Sequence, residues 1–166
     1  PDAWAIDQAF PIMPIARLDE EADRRAVLSD ITCDCDGKID RFVEGGRIRR
    51  TLAVHQPRDG EDYILGVFLV GAYQETLGDL HNLLGDTHVV SVRVGEDGDF
   101  EVQREIEGDS VADVLAFVEY DPRSVSARFR ESVERAVRGG KIDARERKAI
   151  VGAFEESLRG YTYFEG

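Results

Sequence analysis

Residues 87–118 read THVVSVRVGEDGDFEVQREIEGDSVADVLAFV, and the change of period inside this stretch decides the fold. The first half alternates: residues 87–94 and 100–106 are Val-rich strand patterns joined by GEDGD, where Asp97-Gly98 supplies the positive φ of a tight hairpin turn. The second half is helical. Ser110, with Asp113 three residues later, forms a capping-box pattern ahead of Val111, Val114, Leu115 and Val118. Toward the C-terminus, Val125, Phe129, Val133 and Val137 recur every four residues. A last helix begins at Asp143 with Glu146 three residues on, gathers Ile150, Val151, Phe154 and Leu158 on one face, and stops at Gly160.

Toward the N-terminus the signals are those of strands. Residues 74–84 predict a short helix with Leu77, Leu80 and Leu84 on one face and Gly85 as its stop. Residues 62–72, DYILGVFLVGA, are the longest apolar run and predict a central strand buried on both faces. Residues 38–43 and 48–54 are short strands separated by Gly45-Gly46, and residues 24–32 are a strand whose Val27 and Ile31 frame one face. A turn is expected at Asp36-Gly37, and residues 1–18, interrupted by Pro11 and Pro14, form an extended, packed arm. Strands fill the first two-thirds and helices the last third, an α+β layout without an internal repeat.

With 166 residues, 42% hydrophobic and 33% charged, the chain predicts one soluble globular domain. No run approaches the roughly 18 apolar residues of a membrane span. A formal charge of −13 and no Lys/Arg run longer than two residues oppose nucleic-acid and anionic-membrane partners. The acidic field would concentrate a cationic ligand, although excess carboxylates also serve solubility alone. Cys33 and Cys35 are too close for an unstrained disulfide, which points to the cytoplasm. The chain opens on Pro1 without the charged and apolar regions of a signal peptide, and reads as cut or processed.

The densest polar cluster is Asp30-Ile-Thr-Cys33-Asp34-Cys35-Asp36-Gly37-Lys38-Ile-Asp40. A calcium loop is excluded: with Gly37 as position six, positions one and twelve fall on Thr32 and Val43 and lack carboxylates. A zinc site through the two Cys lacks paired His, since His55, His81 and His88 have no ligand spacing. There remains a binding or catalytic turn, with Asp34 and Asp36 facing a cation, or an ordinary Asp-Gly turn. The neighbouring Asp charges oppose thiolate formation, so Cys33 suits proton donation better than nucleophilic attack. A second cluster, Gly71-Ala-Tyr73-Gln-Glu75, has small residues, a phenol and a helix start that could hold a phosphate, or could simply pack.

Taken in order, Pro1-Asp-Ala-Trp-Ala-Ile-Asp-Gln8, Phe10-Pro-Ile-Met-Pro14, Asp30-Ile-Thr-Cys-Asp34, Asp36-Gly37, Gly71-Ala-Tyr-Gln-Glu75 and His81-Asn-Leu83 resemble the C-terminal part of the bacterial biosynthetic arginine decarboxylases. Gly78, Gly85-Asp-Thr87, Gly108-Asp109 and Gly160-Tyr-Thr-Tyr163 extend the resemblance from end to end. It implies the fold-type III, pyridoxal-phosphate-dependent class. There a (β/α)₈ barrel carries the cofactor lysine, and a β-barrel or β-sandwich domain, here residues 1–109, completes the site. Residues 110–166 would be a helical extension, and the catalytic barrel is absent from this chain.

The same resemblance implies that Cys33 enters the partner subunit's active site and protonates Cα after carbon dioxide leaves. It implies that Asp34, with Asp36, binds the distal guanidinium of L-arginine, and that Tyr73 contacts the cofactor phosphate. At Cys35 the family usually has Ser, so this thiol adds only oxidation sensitivity. The further implications are a homo-oligomer, dimer or tetramer, in the cytoplasm, magnesium dependence without an identifiable ligand set, and agmatine production for polyamine (putrescine and spermidine) biosynthesis. None of Lys38, Lys141 and Lys148 stands where the family's Schiff-base lysine lies, so the segment alone is expected to be inactive. Two alternatives are kept: a related decarboxylase acting on ornithine, diaminopimelate or carboxynorspermidine, against which the GAYQE, HNL and YTY matches argue, and a non-catalytic regulatory β-domain, against which the intact Cys33-Asp34 pair argues.

Overall fold

The computed structural model of the protein describes residues 6, 8–29, 37–78 and 80–163. Cα proximity divides the chain into two compact units, residues 1–82 with Gly166, and residues 83–165. The fold is α+β: the described residues form ten short strands in two-stranded antiparallel sheets, and four helices. Among the described residues no sheet exceeds two strands and none closes into a barrel.

In the first unit, β1 (Ile12–Pro14) pairs with β8 (Leu65–Val67), placing Ile12 opposite Val67 and Pro14 opposite Leu65. Pro14 is tolerated because β1 has only one neighbour, so its missing N–H leaves no ladder bond unmade. The ladder continues on either side, with the Ile15 amide donating to the Ile64 carbonyl and the Phe68 amide to the Pro11 carbonyl. Of the arm expected over residues 1–18, the described part buries Phe10 and Ile12, leaves Met13, Ile15 and Leu18 exposed, and carries a strand.

β2 (Arg24–Ala26) pairs with β7 (Leu52–Val54), and β3 (Leu28–Ser29) with β4 (Lys38–Ile39). β5 (Phe42–Glu44) and β6 (Arg47–Arg49) form a hairpin closed by Gly45 and Gly46 at φ +57° and +73°. Both central residues are left-handed, which is why two glycines stand there. Alternation along these strands turns Ile12, Phe42 and Leu52 into one core, with Leu28, Ile39, Val54, Leu65 and Val67 packed against it.

Three sequence expectations are corrected here. Residues 62–72 are not a central strand: only Leu65–Val67 is extended, and it has one partner. Leu69, 81% exposed at φ +64°, ends the run, and Gly71 already opens α1 (Gly71–Leu77). An apolar stretch signals apolar surroundings, not the number of paired neighbours. Residues 24–32 break at an exposed Val27 between β2 and β3. The helix expected over 74–84 begins three residues earlier and ends at Gly78, whose amide donates to the Gln74 carbonyl.

The second unit follows the sequence closely. β9 (Val89–Val94) and β10 (Phe100–Ile106) form the expected hairpin, with Gly98 at φ +88° and a bulge between Val102 and Arg104. Next come α2 (Val111–Phe117), α3 (Pro122–Arg138) and α4 (Ala144–Arg159). The Ser110/Asp113 and Asp143/Glu146 capping boxes are both formed, and Asp121 caps α3 ahead of Pro122. The helical stripes meet with Val114 and Val133 buried and the Phe129 and Phe154 rings stacked at 3.9 Å.

Three of the quoted motifs converge on one knot. The Gly85 amide donates to Thr162 Oγ1 at 2.9 Å, and the Tyr163 hydroxyl donates back to the Gly85 carbonyl at 2.8 Å. Asp86 and Asp109 exchange two bonds: the Asp86 amide donates to Asp109 Oδ2, and the Asp109 amide to the Asp86 carbonyl. The Gly108 amide donates to His88 Nδ1 at 2.8 Å, and the His88 ring stacks on Tyr161 at 4.1 Å. The base of the hairpin is thereby tied to the segment after α4.

A Cβ added at Gly85 would stand 2.6 Å from Asp109 Oδ2 and 2.9 Å from Val114 Cγ2. Gly85→Ala should therefore lower the unfolding free energy by about 1–3 kcal/mol in chemical denaturation. Gly152→Ala in α4, where the added atom meets open space, should raise it by about 1 kcal/mol.

Candidate functional site

The catalytic and substrate-binding candidates Cys33, Asp34 and Asp36 lie outside the described residues. Their flanks are described. Ser29 and Lys38 are register partners across β3 and β4, so the chain enters and leaves 30–37 at paired positions. Gly37 is buried, and beyond it Asp40 stands 3.5 Å from Lys38 Nζ and 3.6 Å from an Arg50 guanidinium nitrogen. Cations thus line the exit of this acidic motif.

Tyr73, the cofactor-binding candidate, is the third residue of α1. The helix forms because small Gly71 and Ala72 follow Val70, whose carbonyl accepts the Gln74 amide at 2.8 Å. The Tyr73 ring lies against buried Phe10, with centroids 5.8 Å apart. Its hydroxyl makes no hydrogen bond among the described residues, the side chain is 44% exposed, and the space beside the Gly71 backbone is open. A phenol hydroxyl can donate to a phosphate oxygen, and open space beside Gly71 lets a ligand approach the backbone, so the residue types fit the phosphate of pyridoxal phosphate. Both packing and an available hydroxyl are realised at Tyr73.

At the end of the same unit, Asn82 has φ +56°, and Leu83, the first residue of the next, has φ +62°. A left-handed Leu costs about 1–2 kcal/mol, and such outliers gather at functional positions. His81-Asn82-Leu83 is thus marked by backbone geometry as well as by sequence.

One polar network was not legible in the sequence. His55, 5% exposed, has Nδ1 2.7 Å from the Tyr63 hydroxyl and Nε2 3.1 Å from the Glu20 carbonyl. A carbonyl only accepts, so Nε2 carries the proton, and the phenol donates to Nδ1 while accepting the His55 amide at 2.8 Å. The Glu20 carboxylate meanwhile takes Arg17 at 2.7 Å and Arg58 at 2.8 Å. The hydrogen bond from Arg17 is the main cause that holds the Glu20 carboxyl down at about 2, with the charges of Arg17 and Arg58 adding to it. Arg17, Glu20 and His55 border a cavity of about 250 Å³ that is also lined by Ile12, Phe42 and Leu52. The network's spacings of 3, 8 and 35 or more residues match no motif, so only the fold brings its members together. No group of three or more His, Cys, Asp or Glu among the described residues is placed to hold a metal ion. No described helix is long and apolar enough to cross a membrane.

Short antiparallel strands followed by three capped helices tied to a hairpin base place the chain in the α+β class with a helical extension. Residues 111–164 match the family model described as the arginine decarboxylase C-terminal helical extension. A biosynthetic arginine decarboxylase of Rhodopirellula baltica is 55% identical over 98% of this chain and 24% of its own length. One from Bacteroides thetaiotaomicron is 49% identical over 99% of this chain and 26% of its own length. The crystal structure of the Campylobacter jejuni biosynthetic arginine decarboxylase superposes with a TM-score of 0.81 at 36% identity, covering 100% of this chain and 27% of that one. Along nearly its whole length the chain is similar to the C-terminal part of the biosynthetic arginine decarboxylases, and it spans about a quarter of the length of the curated relatives it matches.

The Glu20 cluster has a pH signature. A carboxyl shifted down from 4.5 to about 2 stabilises the fold fully above its unfolded value and loses that contribution as pH falls through its folded value. The difference in melting temperature between the protein and its Glu20→Gln variant should be constant above about pH 4.5 and narrow steadily toward about pH 2.

Proposed function

We propose that this chain is the C-terminal part of a pyridoxal-phosphate-dependent arginine decarboxylase, which converts L-arginine to agmatine and carbon dioxide for putrescine and spermidine biosynthesis in the cytoplasm. The observation that carries this is the 55% identity across 98% of the chain to a protein of that name. In this reading residues 1–109 are the β-domain, residues 110–166 the helical extension, and the catalytic barrel lies in the part of the relatives that this chain does not span. The start of the matched helical model at Val111 supports the boundary. Two-stranded sheets with exposed apolar side chains, among them Ile48, Ile64, Val92 and Phe100, suit a β-barrel or β-sandwich completed by neighbouring strands of the whole enzyme.

Pyridoxal phosphate, when bound, supplies the electron sink that lets the carboxylate leave Cα. This chain supplies the proton and the orientation. Tyr73 donates its hydroxyl to the cofactor phosphate. Asp34 and Asp36 accept from the substrate guanidinium, a planar group that two carboxylates hold with angular precision. Cys33 gives its thiol proton to Cα once carbon dioxide has left. The loop acts in trans at the partner subunit's active site, which makes the enzyme a homo-oligomer, a dimer at least or a tetramer. Magnesium dependence follows from the resemblance alone, and no residue is assigned to it.

Arginine-dependent carbon dioxide release should be absent when the 166-residue chain is incubated with pyridoxal phosphate, because no lysine here serves the cofactor; clear turnover would sink the reading. In the whole enzyme, Cys33→Ala should lower agmatine formation by about 10²–10⁴-fold, the usual contribution of a positioned proton donor, while cofactor absorbance stays unchanged. Parallel loss of both would make Cys33 a structural residue.

A further inference from the structure

The chain carries −13, yet one cleft on it is lined by cations. Between α3 and α4 lies a cavity of about 390 Å³ bordered by Arg123, Arg130, Arg159, Glu155, Ala127 and Leu158. Arg123 and Arg130 are seven residues apart, two turns along one face of α3, and Arg159 sits in the last turn of α4. Three guanidinium groups against one carboxylate leave this lining at +2.

The pairing pattern is as informative as the charge. Arg17, Arg24, Arg25, Arg49, Arg50, Arg58 and Arg147 each stand within ion-pair distance of a carboxylate. Arg130 is held by Glu155, its Nε at 2.8 Å from Oε1. The side chains of Arg123 and Arg159 have no hydrogen-bond or ion-pair partner among the described residues, and both border the same cleft. Arg47, Arg104, Arg128, Arg138 and Arg145 likewise have no side-chain partner among the described residues, so what distinguishes Arg123 and Arg159 is that they border one cleft together with Arg130. Ala127 and Leu158 supply apolar surface for the arginine stems, which leaves the charged heads in the opening. Two groups oppose an anion here: Glu155, and Asp121, whose carboxylate is already engaged with the Arg123 and Ser124 amides and the Ser124 hydroxyl.

We propose that the α3–α4 cleft binds a compact polyanion of the diphosphate kind, free or carried on a nucleotide, through Arg123 and Arg159, with Arg130 recruited from Glu155. Guanidinium forks match phosphate oxygens two at a time, and two of them on one cleft lining, one from each helix, suit two linked phosphoryl groups better than one. A nucleic-acid strand is excluded by the charge of the remainder of the chain.

The test is calorimetric titration of the full chain with inorganic pyrophosphate in magnesium-free, low-salt buffer, with ADP as a second arm. Saturable binding is expected, weakened about tenfold or more in Arg123→Ala/Arg159→Ala, which breaks no pair in the fold. Glu155→Gln frees Arg130 and should tighten binding several-fold at unchanged circular dichroism. In nitrogen-15 spectra the perturbed side-chain Nε–Hε signals should be those of Arg123, Arg130 and Arg159. Binding of ADP equal to that of pyrophosphate makes the diphosphate itself the ligand, and tighter binding makes it a nucleotide. Absence of saturable heat, equal affinity in the double variant, or a folded Glu155→Gln variant with unchanged or weaker affinity would overturn the proposal.

Discussion

Two positions without a side chain, Gly85 and Gly108, let three backbone segments meet where an added Cβ would clash. The Gly108 backbone runs against the Asp86 carbonyl and the Tyr161 ring, and Gly85 runs against Asp109. Around that contact the hairpin base, the entry to α2 and the exit of α4 exchange hydrogen bonds. The Val111 amide reaches the Gly160 carbonyl at 2.9 Å, and Ser110 bridges Tyr161. The helical extension is therefore pinned at both ends to one place, and its three helices need only modest burial, at Val114 and Val133, to hold their packing.

This knot changes the meaning of the motifs that carry the family resemblance. Gly85-Asp-Thr87, Gly108-Asp109 and Tyr161-Thr-Tyr163 are a joint: their polar atoms are spent on one another and on the backbone. Motifs that could touch a ligand sit in the first unit, where Tyr73 keeps an available hydroxyl. Sequence similarity weighs both kinds of residue alike; hydrogen-bond accounting separates them.

Legibility followed the range of the forces involved. The second unit is built from local rules, so the hairpin at Asp97-Gly98, both capping boxes and the stripes ending at Phe129 and Phe154 could be read directly; the Asp121-Pro122 helix start was equally local. The first unit depends on pairing across distance. Nothing near residue 67 announces that its partner is residue 12, and the apolar run 62–72 looked central because hydrophobicity records burial without recording pairing. The same limit hid His55, Tyr63 and Glu20, whose bonds span up to 35 residues. For the site, residue types and resemblance singled out Tyr73 next to a helix start; that it lies within α1 and packs on Phe10 are tertiary facts.

The pairing of Ser29 with Lys38 has a thermodynamic consequence for the segment that carries Cys33 and Asp34. Bringing the ends of a flexible segment together costs chain entropy that grows with its length. Here the β3–β4 ladder holds the two ends together at Ser29 and Lys38, so this closure cost is met when the chain folds.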